Sequence, residues 1–127
     1  MTYMNSLKLK AELNQLKVLD EFISEHYPKK DMTLKLIVEE IFVNIVNYSN
    51  AEYIIANVES NNYLTIEFID NGIQFDPTLK EDPEAPKTLD EAQVGGLGIL
   101  LVKNYADEIT YTYENEENHL KIIKKVE

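Results

Sequence analysis

The sequence contains no cysteine and no arginine among its 127 residues, and it has only four glycines and four prolines. Without cysteine the chain can form neither a disulfide nor a thiolate metal site, so a cytoplasmic location is the default expectation. No apolar run approaches the roughly 18 residues of a membrane span, and the amino terminus shows no secretory signal. The length predicts one domain, residues 1–127, with a single substantial core.

The charge of the chain restricts its ligands. All 12 basic residues are lysine, and the formal net charge is −11. Because so acidic a surface repels nucleic acid and anionic membranes, neither is expected as a main ligand. Phosphate compounds are also disfavoured unless a divalent cation and backbone N–H groups supply positive charge. A nucleotide ligand is therefore expected together with a metal ion.

The order of the apolar patterns predicts an α+β fold. Helices show apolar residues at a spacing of three and four, and strands show short apolar runs bounded by turn residues. The predicted elements, in chain order, are a weak strand at 5–10, a helix at 12–26, a helix from an Asp31 cap to about Tyr48, strands at 53–60 and 63–70, a short helix after "GGLG", and strands at 108–114 and 119–126.

The second helix, "LKLIVEEIFVNIVNYSN", carries a polar stripe. Glu40, Asn44 and Asn47 lie within roughly 60° of one another on the helix surface, and apolar residues flank them on both sides. Asparagine is a mediocre helix former, so its presence here needs a reason. Two interpretations remain open. The stripe is partly buried and satisfied by backbone or water, or it faces a ligand such as a metal ion or a polarised water.

The glycines occupy only two short motifs. Gly72 belongs to "DNGIQFDP", directly after a predicted strand, and Gly95, Gly96 and Gly98 belong to "GGLGILLVKN" at the entrance to a helix. Glycine permits positive φ and a close approach of backbone to a ligand, and a helix amino terminus suits phosphate. The second motif fits neither a P-loop nor a dinucleotide fingerprint. The polar stripe and the two glycine motifs, in this order, are a stronger signal than either glycine motif alone.

From about residue 31 to the carboxyl terminus, this order resembles the GHKL (histidine kinase-like) ATPase superfamily. The resemblance rests on E-x-x-x-N in a helix, D-x-G after a strand and G-x-G before a helix. Within the superfamily, "VEEIFVNIVNYSN", "DNGIQFDP" and "GGLGILLVKNYADEITY" look most like the anti-sigma-factor serine/threonine kinases. The resemblance implies a two-layer α/β sandwich, with a mixed, mainly antiparallel sheet and helices on one face, that binds ATP and Mg²⁺.

The resemblance assigns roles to the polar stripe. Glu40 aligns with the catalytic carboxylate, and its neighbour Glu39 is the competing candidate. Asn44 resembles the Mg²⁺ ligand. Asn47 is expected near phosphate or metal-bound water, with a structural role as the alternative. Tyr48 lies where relatives often have histidine or another aromatic residue, and it would either contact the nucleotide or pack in the core.

The resemblance also assigns roles to the glycine motifs. Asp70 resembles the aspartate that accepts a hydrogen bond from the adenine amino group, although an isolated D-N-G is more often a turn. Gly72 would let the backbone lie against the adenine ring. Residues 73–94 would form the ATP lid, which lacks the arginines of some relatives. The backbone expected to bind the phosphates comprises Gly95, Gly96, Leu97 and Gly98.

The function implied by the resemblance is that of a regulatory serine/threonine kinase. Its substrate would be a Ser or Thr of an anti-sigma-factor antagonist, and partner switching would then control a sigma factor. A second copy of the chain, in a homodimer, is a further candidate partner. Two alternatives are open: a nucleotide-sensing binding module, and a detached histidine kinase-like ATPase without protein kinase activity.

Overall fold

The secondary structure follows the predicted order. The structure, a computed structural model, describes residues 5–78 and 102–126. In these ranges it contains β1 (Asn5–Lys10), a 3-10 helix (Leu13–Gln15), α1 (Leu16–His26), α2 (Met32–Tyr48), β2 (Tyr53–Ser60), β3 (Tyr63–Asp70), β4 (Glu108–Glu114) and β5 (Glu117–Lys125). The first predicted helix therefore opens with a 3-10 turn, and the last strand begins two residues before its predicted start. Of the helix predicted after the second glycine motif, the described part is residues 102–105.

The strands form one five-stranded sheet in the order β1-β2-β3-β5-β4. All four described pairings are antiparallel, which confirms the mainly antiparallel sheet. The register places Asp70, the last residue of β3, opposite Asn118 of β5. On the other side of β3, Asp70 pairs with Ile54 near the start of β2. The end of β3 therefore lies between two strands rather than at a sheet edge.

The core lies between the sheet and the helices. Alternate residues of β2, β3 and β5 are buried, as expected when one face of a sheet packs against other elements and the other face does not. The apolar face of α2 supplies the helical side of this core with Leu34, Ile37, Val38, Ile41, Phe42 and Ile45. This arrangement agrees with the predicted two-layer sandwich. Within the described ranges, neither helix combines the length and apolar character that crossing a bilayer would require.

Side-chain contacts hold both ends of α2. Asp31 is the predicted N-cap, and its Oδ1 accepts the N–H of Leu34 at 3.0 Å. Its Oδ2 accepts the hydroxyl of Tyr105 at 2.7 Å, which ties the chain after the second glycine motif to the start of α2. At the other end, Asn50 follows the helix with φ of 57°, a left-handed conformation that asparagine tolerates. The position of the polar stripe is thus set at both ends of its helix.

Candidate functional site

The polar stripe of α2 runs from half-buried to exposed. Glu40 is half-buried, and Asn47 and Tyr48 are exposed at the end of the helix. Asn44 is only 4% exposed. Among the residues that the structure describes, no group bonds to its buried Nδ2 atom. The stripe therefore contains a buried amide whose hydrogen-bonding capacity is not used by its surroundings.

Such an amide is unusual because most buried polar groups are hydrogen-bonded, and leaving one unpaired costs about 1–3 kcal/mol. The unpaired Nδ2 can donate to an acceptor such as a phosphate oxygen, and the oxygen of the same amide is the atom that can face a cation. Over residues 5–78 and 102–126, no group of three or more His, Cys, Asp or Glu side chains could hold a metal ion. Mg²⁺ that binds with a nucleotide needs only one or two protein ligands beside phosphate oxygens. An amide oxygen at Asn44 fits that requirement.

The two neighbouring glutamates of α2 have different surroundings. Glu39 is hydrogen-bonded to Asp20 of α1, so its side chain is directed toward the other helix. Burial, the hydrogen bond with Glu39 and the negative charge of Glu39 together raise the pKa of Asp20 from 3.8 to about 7, against the opposing charge of Lys35. Glu40 stands one helical turn before Asn44. The geometry favours Glu40 over Glu39 as the carboxylate of the polar stripe.

The "DNG" motif forms a tightly bonded corner at the end of β3. Asp70 is 1% exposed, and its Oδ1 accepts the N–H of Gly72 at 2.9 Å. Asn71 accepts the N–H groups of Glu52 and Tyr53 at 2.8 and 3.1 Å, which holds the start of β2. Asp70 thus has the local hydrogen bond of a turn, as its alternative interpretation expects. Its burial, however, is far greater than a turn at the surface requires.

Gly72 is required by a close approach between backbone segments. A Cβ atom at this position would lie 2.2 Å from the carbonyl oxygen of Ser49, the C-cap of α2. The N–H of Ile73 donates to the same oxygen at 2.8 Å. The φ angle of Gly72 is not positive. The glycine therefore allows the corner to contact the end of α2, and its contact with an adenine ring stays a prediction.

Sequence reasoning missed Asn118, which is 2% exposed on β5. Its Nδ2 donates to Asp70 Oδ1 at 2.9 Å and to the carbonyl of Ile73 at 2.7 Å. Its Oδ1 accepts the N–H of Phe75 at 2.9 Å and the hydroxyl of Tyr111. The only sequence signal was an asparagine beside an apolar strand, and the predicted strand began one residue after it.

Burial raises the pKa of Asp70, and its hydrogen bonds oppose that shift. The donors that lower the pKa are Asn118, the Gly72 N–H and Ser49, in that order, and the charge of Glu117 raises it. The pKa is raised overall, so burial outweighs these hydrogen bonds, which limit the rise. Asp70 Oδ1 is a buried acceptor of two N–H groups, from Gly72 and Asn118.

The structure brings the polar stripe and the "DNG" corner together. Ser49, directly after α2, contacts both Gly72 and Asp70. The ring of Tyr48 lies 5.9 Å from that of Phe75, centroid to centroid. The other predicted phosphate-binding residues, Gly95, Gly96, Leu97 and Gly98, and most of the predicted lid, lie outside the described residues.

Comparison with known proteins agrees with this arrangement. Residues 9–124 match the family described as "Histidine kinase-like ATPase domain". The serine/threonine-protein kinase BtrW of Bordetella bronchiseptica is 28% identical over 95 residues, which cover 71% of this chain and 67% of that protein. The matched range includes the polar stripe, the "DNG" corner and Asn118. The chain therefore belongs to the histidine kinase-like ATPase domain family.

Proposed function

We propose that this protein is a cytoplasmic, Mg²⁺-dependent serine/threonine kinase with a regulatory role. Membership of an ATPase family implies ATP binding. The observation that carries the site is Asn44, whose buried Nδ2 is unpaired among the described residues and could donate to a phosphate oxygen while the amide oxygen faces Mg²⁺. It lies one turn after Glu40, on the helix whose end contacts the "DNG" corner. The proposal places one bound nucleotide across these two parts of the molecule.

In this proposal the adenine base is recognised at Asp70. A buried carboxyl oxygen would accept a hydrogen bond from the amino group of the base, and Gly72 keeps the neighbouring backbone close to the end of α2. Asn44 would hold Mg²⁺ through its amide oxygen, and Asn47 would contact phosphate or metal-bound water. Mg²⁺ supplies the positive charge that a nucleotide needs in a chain of net charge −11. The backbone at residues 95–98 would contact the phosphates, as the sequence predicts.

Glu40 is proposed as the catalytic carboxylate. Phosphoryl transfer depends mainly on positioning and charge neutralisation, with one residue orienting or deprotonating the attacking hydroxyl. Glu40 is half-buried on the polar stripe, whereas Glu39 bonds to Asp20 on the neighbouring helix. The similarity to a protein named as a serine/threonine-protein kinase supports a hydroxyl of a partner protein as the acceptor.

The partner is proposed to be an anti-sigma-factor antagonist, with a sigma factor as the protein that is released or captured. Lid closure over the nucleotide would present a different surface to each partner. A second copy of the chain remains a candidate partner. This most specific part of the proposal is supported by the motif resemblance together with the similarity to BtrW.

The test pairs two substitutions on adjacent residues. Glu40→Gln retains size and some hydrogen bonding but removes the base, so phosphate transfer should fall by ~10²-fold or more while ATP affinity stays near normal. Glu39→Gln should leave transfer within a few-fold of wild type. Nucleotide titration is followed by transfer of label from γ-labelled ATP to the captured partner.

Three outcomes of this test would overturn parts of the proposal. A wild-type protein that binds ATP and partner without transferring label would be a nucleotide-sensing module. If the protein hydrolyses ATP but labels no partner, it is a detached ATPase. Loss of transfer in Glu39→Gln, with normal transfer in Glu40→Gln, would show that Glu39 rather than Glu40 is the catalytic carboxylate.

A further inference from the structure

Both the oxygen and the nitrogen of the Asn118 side-chain amide are hydrogen-bonded. Two donors, the Phe75 N–H and the Tyr111 hydroxyl, reach its oxygen. Its nitrogen donates to Asp70 Oδ1 and to the Ile73 carbonyl. An asparagine amide offers two donors and two acceptor sites, so its full capacity is used. A residue in this state is held in one rotamer and one amide orientation.

The orientation of this amide determines what Asp70 can do. Because two donors face Asn118 Oδ1, the NH₂ group must be the side that faces Asp70. Asp70 Oδ1 then receives two N–H groups, one from Asn118 and one from Gly72. Two N–H groups on one carboxyl oxygen oppose the rise in pKa that burial causes, and an oxygen that receives them acts as an acceptor.

We propose that Asn118 is a positioning residue that keeps Asp70 an acceptor, and that it thereby sets a preference for 6-amino purines over 6-oxo purines. This inference rests on the proposed nucleotide site at Asp70. The 6-amino group of adenine donates a hydrogen bond, whereas the 6-oxo group of hypoxanthine or guanine accepts one. An acceptor-only carboxylate therefore discriminates against the 6-oxo bases, because their oxygen would face it without a proton between them.

The same amide links base recognition to the chain that follows it. Ile73 and Phe75 follow directly after "DNG". The Ile73 carbonyl and the Phe75 N–H both bond to the Asn118 amide that contacts Asp70. Tyr111 fixes the amide from β4. Tyr111→Phe removes one of the two donors to Asn118 Oδ1 and leaves the other, so it loosens the amide without removing it.

The test compares ADP with inosine diphosphate, which differs from ADP in the 6-position of the base. Calorimetric titration of wild type should give roughly 10- to 100-fold tighter binding of ADP, the usual range for one hydrogen bond to a charged group. Asn118→Ala should reduce that ratio by at least about fivefold, and Tyr111→Phe should reduce it in the same direction by less. The affinity for inosine diphosphate should change little.

Asn118→Asp is the sharpest variant because it keeps the size of the side chain. It replaces the NH₂ group with a second carboxylate oxygen against Asp70, so the two acids would share a proton. Because Asp70 then has a partner that no longer forces it to act as an acceptor, the ratio of the two affinities should fall further than in Asn118→Ala. A measurement without nucleotide accompanies these titrations: the carboxyl ¹³C signal of Asp70 should titrate at a higher pH in Asn118→Ala than in wild type, since a donor has been lost.

The outcomes separate this inference from the proposed function. Equal losses for the two diphosphates in Asn118→Ala and Tyr111→Phe would make Asn118 purely structural and overturn the inference. So would a wild type that binds both diphosphates equally well. If wild type binds neither, the proposed function fails as well. Circular dichroism checks folding, and if both Asn118 variants are unfolded, Tyr111→Phe alone decides by whether the ratio falls.

Discussion

Two buried asparagines of this protein have opposite hydrogen-bonding environments. Asn118, at the strand end beside Asp70, is 2% exposed and has a partner for each of its four hydrogen-bonding positions. Asn44, on the polar stripe of α2, is 4% exposed, and its Nδ2 has no partner in the described part of the chain. The hydrogen-bonding capacity of Asn118 is therefore used by the protein itself, whereas that of the Asn44 nitrogen is not used within the described residues.

We infer from this difference that the two asparagines have different roles in the proposed nucleotide site. A recognition group that is held by neighbouring bonds does not have to be reorganised when a ligand arrives. An unpaired buried amide, in contrast, costs stability until something binds to it. We infer that the strand end reads the base in a preformed state, and that the polar stripe gains its missing bonds only with metal and phosphate present.

The largest expected effect comes from making the same substitution at both asparagines. Asn118→Leu should lower the free energy of unfolding by about 3 kcal/mol or more, because it leaves several buried groups unpaired. Asn44→Leu should raise it by about 1 kcal/mol, because it removes an unpaired amide and adds apolar surface. Urea unfolding of the nucleotide-free proteins measures both. Destabilisation of similar size at the two positions would contradict the comparison.

Gly72→Ala should lower the free energy of unfolding by about 2–3 kcal/mol, because the new Cβ would meet the backbone of Ser49 rather than a flexible side chain. The same shift would displace the neighbouring Asp70, so ADP binding should weaken as well. Ile73→Ala is the control for stability, since Ile73 is 61% exposed and its truncation should cost much less. A stable Gly72→Ala protein would mean that the corner is less rigid than its contacts indicate.

Asp70→Asn should weaken ADP binding by at least ~10-fold, since one hydrogen bond to a charged group is worth about 1.5–3 kcal/mol. The amide oxygen can still accept from Gly72 and Asn118, so circular dichroism should be unchanged. Glu67→Gln, on the opposite face of β3, is the control and should bind ADP normally. Equal ADP affinity in Asp70→Asn and wild type would leave Asp70 with only its role in the turn.

Asp20 offers a third kind of polar group, a half-buried acid that faces another acid. Its pKa is raised from 3.8 to about 7, so between these values the folded state holds a proton that the unfolded chain has released. The free energy of unfolding should therefore fall as the pH rises from about 4 to about 7, a smaller effect than those above because the group is partly exposed.

Asp20→Asn should remove this dependence and make the protein more stable than wild type at about pH 8, since an amide can donate to Glu39. Urea midpoints between about pH 5 and 8 measure the effect. Glu21→Gln, on the exposed side of the same helix, should retain the wild-type slope. Equal slopes in Asp20→Asn and wild type would show that the carboxyl pair does not control this titration.

Local pattern was sufficient for the elements and for recognising the polar stripe as unusual. The apolar period and the Asp31 cap predicted α2, and the capping bond to Leu34 is present. The polar stripe was recognisable because Asn44 is a poor helix former between apolar neighbours. These features depend on residues within a few positions of one another, which is the range over which a sequence pattern carries structural information.

Contacts between distant segments were beyond such reasoning. Asn118 and Asp70 are 48 residues apart, and only the β3–β5 register brings them together. The contact between Glu39 and Asp20, which bears on the choice between Glu39 and Glu40, depends on the packing of α1. Likewise, the reason for Gly72 is the approach of Ser49 from another element. In each case the deciding partner is a tertiary neighbour with no local signature.

The most direct test of the account is a calorimetric titration of ATP in the presence of Mg²⁺ and again with EDTA. If the polar stripe is completed by metal and phosphate, chelation should weaken ATP binding to wild type by at least about tenfold. In Asn44→Leu the affinity should be low and no longer depend on Mg²⁺. An ATP affinity in wild type that is unchanged by EDTA would contradict the metal role of Asn44, and with it the proposed division between the strand end and the polar stripe.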